Sequence, residues 1–167
     1  MDKNRTRYVA VFAIMVSLAL IFSYVETLIP PIISVPGMKL GITNIVVVVM
    51  LYLYGEKSAI AINFVRVLLV AILFGNGVSL VYSLAGAILS IIVMIALKRS
   101  GRFHLMSVSI CGAVAHNAAQ MIVAMLIFKT TSLLWYFVIL WLFALVSGGV
   151  IGALSALIVV RIKKTSL

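Results

Sequence analysis

The sequence predicts an all-α fold, a polytopic integral membrane protein of six transmembrane helices, and three observations carry that prediction. Of 167 residues, 65% are hydrophobic and 10% are charged, a balance outside the range of soluble domains. The apolar residues fall in runs that approach the roughly 20 residues of a membrane-crossing helix. Lysine and arginine gather in alternate connections between those runs, as they do on the cytoplasmic side of membrane proteins. Divided at its Gly, Pro and charged punctuation, the chain forms one domain with spans near 8–29, 41–54, 59–74, 78–97, 104–128 and 132–160.

The first span follows the basic start DKNRTR. A secretory signal peptide can begin this way, but this run is long, lacks a clear small-residue cleavage site and precedes five more spans, so it reads as a helix. Ala10, Ala13 and Ser17 share one of its faces, a strip of small residues suited to packing within the chain or against another protein. Glu26 is the only acidic residue within a span.

The second span is entered from VPGMKLGITN, residues 35–44. Pro36 fixes φ and lacks an N–H, and Gly37 and Gly41 admit conformations that other residues avoid. The stretch reads either as a tight connector whose Lys39 snorkels to the headgroups, or as the lid of an outward-facing pocket. In the second case Lys39 meets the anionic end of a ligand, and Asn44 joins it from the start of the helix.

The third span carries Asn63 and Arg66 in AINFVRVLL, on one helix face at i, i+3 spacing. Arg66 cannot easily lose its proton. It needs a structural ion pair with Glu26, an interface to snorkel to, or a ligand or proton path. In the fourth span Ser79, Ser83 and Ala87 form another small-residue face.

The fifth span holds the densest polar cluster, GAVAHNAAQ, with His116, Asn117 and Gln120. His116 and Gln120 lie one turn apart on a face shared with Ser109 and Gly112, and Asn117 lies about 100° round the helix. Such a stripe faces protein or a water-filled cavity, either as interhelical hydrogen bonds or as the floor of a binding site. In the sixth span Gly148, Gly152 and Ala156 repeat at i+4, a ridge for close helix packing.

With the N-terminus inside, six spans place Lys3, Arg5, Arg7, Lys57, Lys98, Arg99, Arg102, Arg161, Lys163 and Lys164 in the cytoplasm, and Lys39 and Lys129 outside. Both termini are then cytoplasmic, and the formal net charge of +10 is an orientation signal and an attraction to the lipid bilayer. Spread over four segments, these charges do not form a nucleic-acid groove. Cys111 is a lone cysteine within a span, and His104 and His116 are a whole span apart, so neither a disulfide framework nor a metal site is expected. No cofactor motif is read.

The stretches RTRYVAVFAIMVSLALIFSYVE, VPGMKLGITN, LYLYGEKSAIAINFVRVLLVAILFG, SLAGAILS and AHNAAQ together resemble the heptaprenyl diphosphate synthase component I family, also called the Gx transporter family. The resemblance covers nearly the whole chain. That family is more distantly similar to the S components of energy-coupling-factor (ECF) transporters, six-helix substrate-binding proteins. In those, an Ala-rich face of the first helix docks on a coupling membrane subunit driven by two ATPases. The resemblance implies an S-component-like bundle with Ala10, Ala13 and Ser17 as docking face, although Ser17 stands where a strict AxxxA pattern would place Ala.

The enzyme label in the family's name meets a chemical obstacle. Prenyl diphosphate synthesis needs clustered aspartates to hold Mg²⁺ against the diphosphate, and the chain has only Asp2, Glu26 and Glu56. It also lacks a Walker motif, so ATP-driven transport would require other subunits. The expected function is therefore non-enzymatic: capture of a small, partly apolar molecule with an anionic end, of isoprenoid or quinone kind, for uptake into a bacterial cell. Lys39, Asn44, Arg66, His116, Asn117 and Gln120 are its expected contacts. The alternative is a non-catalytic membrane component of heptaprenyl or polyprenyl diphosphate synthesis, partnered by a soluble synthase chain. A self-contained channel or carrier is the weaker third reading, since no inverted repeat is visible.

Overall fold

The computed structural model describes residues 3–28, 41–74, 77–131 and 134–165. These form six helices: α1 (Lys3–Leu28), α2 (Asn44–Leu53), α3 (Glu56–Phe74), α4 (Gly77–Ser100), α5 (Leu105–Phe128) and α6 (Leu134–Thr165). Five of them are long and apolar enough to cross a membrane. The chain is an all-α, multi-pass membrane protein.

Helix ends follow local chemistry. The chain turns out of α2 at Gly55 (φ 87°) and out of α4 at Gly101 (φ 66°), a left-handed conformation that costs glycine little. Lys129 takes the same conformation at the end of α5.

Five helices close a ring in the order α2, α3, α4, α5, α6, and α1 packs outside it against α3 and α2. Gly148 and Gly152 let α6 approach α5 very closely. A Cβ at Gly148 would lie 2.8 Å from the Cα of Ile110, and one at Gly152 would lie 2.8 Å from the Cα of Met106. The Ser109 hydroxyl donates to the Gly148 carbonyl at 2.9 Å across this contact. Ala156, farther along the same ridge, is half-buried.

The helices run alternately up and down. Tyr8 and Ser58 share a hydroxyl hydrogen bond of 2.8 Å, and Arg99 Nε donates to Glu56 Oε1 at 2.8 Å. The starts of α1 and α3 therefore lie at one end of the bundle with the finish of α4. Antiparallel packing of α5 and α6 brings the start of α5 and the finish of α6 to that same end. Arg5, Arg7, Lys57, Lys98, Arg99, Arg102, Arg161, Lys163 and Lys164 thus form a basic belt at one end, with Lys129 at the other.

α2 departs from a regular crossing. Its 10 residues reach only about 15 Å at 1.5 Å per residue, half of a bilayer core of about 30 Å. It nevertheless returns the chain to the basic belt, because it begins beside Ser23 and Glu26 and ends beside Tyr8, whose ring centroid is 5.9 Å from that of Tyr54. Val46 to Leu51 are all buried, as expected of a helix apolar on every side. Val46, Val47, Val48, Met50 and Leu51 form the core together with Ala19, Ala59, Ile62, Ile91, Met94 and Val108.

α1 is the most exposed long helix. Only 11% of its apolar window is buried, against 28–33% for the other four long helices, so most of its surface faces lipid or a partner. Ala10, Ala13 and Ser17 are exposed on it, with the Ser17 hydroxyl returned to the Ala13 carbonyl at 3.0 Å.

Candidate binding cavity

Residues from α1, α2, α3, α5 and α6 meet around a small cavity within the ring. Its walls are Glu26, Gly41, Asn44, Arg66, Ala113, His116, Asn117, Ser147 and Ile151, and its free volume is about 40 Å³, room for a few waters or one small polar group. Arg66 and His116 lie about ten residues into helices that start at the basic belt, which places both about 15 Å deep. That is close to the middle of a bilayer, where irregular backbone and charge persist only against protein or a cavity.

Arg66 is held from its own helix. Its Nη2 donates to Asn63 Oδ1 at 2.9 Å, and Asn63 in turn donates to the Ala87 carbonyl of α4 at 3.1 Å. The i, i+3 spacing thus produces a relay that fixes the guanidinium against two helices. Arg66 is 9% exposed, and its Nε has no hydrogen-bond partner among the described residues. A buried donor left without an acceptor costs on the order of 1–3 kcal/mol, more when charged.

Glu26 and Arg66 share the cavity without closing an ion pair. The Glu26 carboxylate accepts from the Gly41 N–H and, at 3.4 Å, from the Thr43 hydroxyl, which also bonds the Ser23 hydroxyl at 3.1 Å. Because α2 starts at mid-membrane depth, its approach segment meets the carboxylate before Arg66 does. The charge of Glu26 still acts on Arg66 through space.

On α5 the polar stripe divides. His116 turns its ring to α4, where a Cβ at Gly86 would lie 2.7–2.8 Å from three ring atoms. Asn117 turns to α6 and donates to the Leu140 carbonyl at 3.1 Å. Ser109 faces α6 and Gly112 faces Ser90 and Met94 of α4, so α5, packed between α4 and α6, spends its polar groups on both neighbours. Gln120 is 5% exposed, has no hydrogen-bond partner at Nε2 among the described residues, and stands one turn beyond His116, off the cavity wall.

Four of the residues expected from the sequence, Asn44, Arg66, His116 and Asn117, thus come together. Lys39 lies outside the described residues, as does most of the loop expected to lid the pocket. Sequence reasoning passed over Glu26 and Ser147 as wall residues and Gly86 as the seat of His116. The available signal for Gly86 was a lone glycine inside an apolar helix, which usually has a packing reason. Among the described residues no group of His, Cys, Asp and Glu could hold a metal ion.

A sequence model of the family described as heptaprenyl diphosphate synthase component I matches residues 15–158, most of the chain. No curated protein and no solved structure matches it.

Proposed function

Since the chain belongs to the heptaprenyl diphosphate synthase component I family, we propose that it is a non-catalytic membrane subunit that captures a small, partly apolar, anionic molecule for uptake, in the manner of an S component. The observation that carries this reading is the cavity at mid-membrane depth, where Glu26, Asn44, Arg66, His116 and Asn117 converge from four helices. Buried charge in a bilayer is costly, and an ionisable residue inside a span marks a functional site by default. An anchor for a soluble enzyme would need no such cavity. The exposed small-residue face of Ala10, Ala13 and Ser17 on α1 would receive an ECF-type coupling subunit with its two ATPases.

The absence of catalysis by the chain itself is part of the proposal. Glu56 sits at the basic belt against Arg99 and Glu26 is tied to the start of α2, so these two carboxylates do not converge on a common Mg²⁺ site. The belt, which includes both the start of α1 and the finish of α6, would face the cytoplasm of a bacterial cell by the distribution of its positive charge.

A second reading is favoured by the family's description: a membrane component that partners a soluble polyprenyl diphosphate synthase. Co-purification from the native membrane separates the two. Uptake requires recovery of a coupling membrane protein with ATPases, and Ala13→Trp should reduce that recovery. A soluble synthase recovered in their place, or recovery unchanged by Trp at position 13, would defeat the uptake reading or its docking face respectively.

A further inference from the structure

We infer that the cavity takes one oxyanion, a carboxylate or phosphate group, between Arg66 and the start of α2, and that Glu26 is the built-in acceptor occupying part of that place while no ligand is there. The inference deepens the reading of the cavity as a substrate site and rests on it.

Two independent observations meet here. The first is Arg66, which lines the cavity, is 9% exposed and permanently charged, and has a buried Nε without an acceptor among the described residues. Its plane is already oriented by Asn63, so an arriving oxygen meets a fixed donor. The second is the start of the 10-residue helix α2, where Gly41 and Asn44 line the same space: the Asn44, Ile45 and Val46 N–H groups return to the carbonyls of Gly41, Ile42 and Thr43, and the Gly41 N–H with the positive end of the helix dipole is what meets an anion there. That this start accepts a carboxylate is visible in the fold itself, because Glu26 binds the Gly41 N–H there.

The Glu26 carboxylate accepts from Gly41 and Thr43 and makes no hydrogen bond to Arg66, so it leaves the Arg66 Nε donor unmet. An oxyanion seated at Arg66 would compete with Glu26 for the Gly41 N–H and repel its charge. Displacement of Glu26 would break its bonds to Gly41 and Thr43 and leave the Ser23–Thr43 hydroxyl bond to join the finish of α1 to the start of α2. With about 40 Å³ available, the cavity holds a headgroup, and the rest of a larger molecule lies beyond it.

The sign of one substitution distinguishes this from a site for a cation. Glu26→Gln keeps the shape and removes the competing charge, so it should tighten oxyanion binding about tenfold or more. Arg66→Lys keeps a charge but loses the oriented Nε donor, and should weaken it about tenfold. The full chain in nonionic detergent would be titrated with sodium phosphate and sodium acetate at constant ionic strength against chloride, with Kd read from thermal unfolding. Reconstitution in phosphatidylcholine vesicles with and without phosphatidylglycerol, free of phosphate, distinguishes a lipid headgroup from a free ion as the source of the oxyanion. Tightening by Glu26→Gln supports the inference, even if the Arg66 variant does not fold. Weakening by Glu26→Gln, equal binding by wild type and both variants, or no stabilisation of wild type and Glu26→Gln by any of these probes overturns it. If no probe stabilises the chain while it co-purifies with a coupling subunit, the inference fails and the uptake reading stands. Oxyanion binding of the stated sign with only a soluble synthase recovered has the reverse meaning.

Discussion

Gly148→Ala should separate α5 from α6. The added Cβ would stand 2.8 Å from the Cα of Ile110, 3.0 Å from the Cβ of Ala113 and 3.3 Å from the carbonyl oxygen of Ser109. Carbon atoms rest at about 3.5–4.0 Å, and two of these three neighbours are backbone, which cannot rotate away. The helices must therefore move apart by about 1 Å. Overpacking of this kind costs about 1–3 kcal/mol. The same movement stretches the 2.9 Å bond from Ser109 to the Gly148 carbonyl, and bonds between membrane helices average about 0.6 kcal/mol. At about 2–4 °C per kcal/mol for a chain of this size, Tm should fall by about 3–14 °C. Gly149→Ala is the control, because its Cβ would find nothing nearer than the flexible end of Met106 at 3.6 Å. Adding Gly152→Ala to Gly148→Ala should cost less than the sum of the two singly, since one displacement of α5 relieves both clashes. Thermal unfolding of the detergent-purified variants measures all of this. A Gly148→Ala protein within 1 °C of wild type, or a Gly149→Ala protein as damaged as Gly148→Ala, would refute the reasoning.

Asn63→Ala removes the acceptor of Arg66 Nη2 and the donor to the Ala87 carbonyl, and should lower stability by about 1.5–3 kcal/mol; unfolding that matches wild type would mean that water replaces Asn63 at no cost. Ser166→Cys in a Cys111→Ala background should resist an impermeant thiol reagent in intact cells and react after permeabilisation, and labelling in intact cells would place the basic belt outside.

Local composition accounts for the helices, because a run of apolar residues in a bilayer has no better way to satisfy its backbone. The same logic made Arg66 legible as a buried polar group and His116 as a partly buried one. What they touch was not legible, since it depends on how helices distant in the chain align. Glu26 is an instance: charge alone favours Arg66 as its partner, and the depth at which α2 begins directs it to Gly41. The stripe from Ser109 to Gln120 is another. Spacing puts Ser109, Gly112 and His116 on one face, yet closure of the ring sets α5 between two neighbours and divides their contacts between α4 and α6. Gly86 acquires its meaning only from the register of α4 on α5, which no local pattern encodes.

The Lys98 ammonium, at the finish of α4, donates to the Leu51 carbonyl in the last turn of α2 at 2.6 Å and lies 5.3 Å from the centre of the Tyr52 ring. Helix termini leave carbonyls without partners, and a helix of ten residues has little hydrophobic length with which to hold itself in lipid. Lys98 follows α2 in the chain and is synthesised after it. The final turn of α2 therefore remains provisional until α4 has inserted and brought that ammonium to the membrane surface. The order of the chain becomes an order of assembly: α1 and α3 can enter the bilayer on their own hydrophobicity, while α2 is completed afterwards, as a consequence of α4.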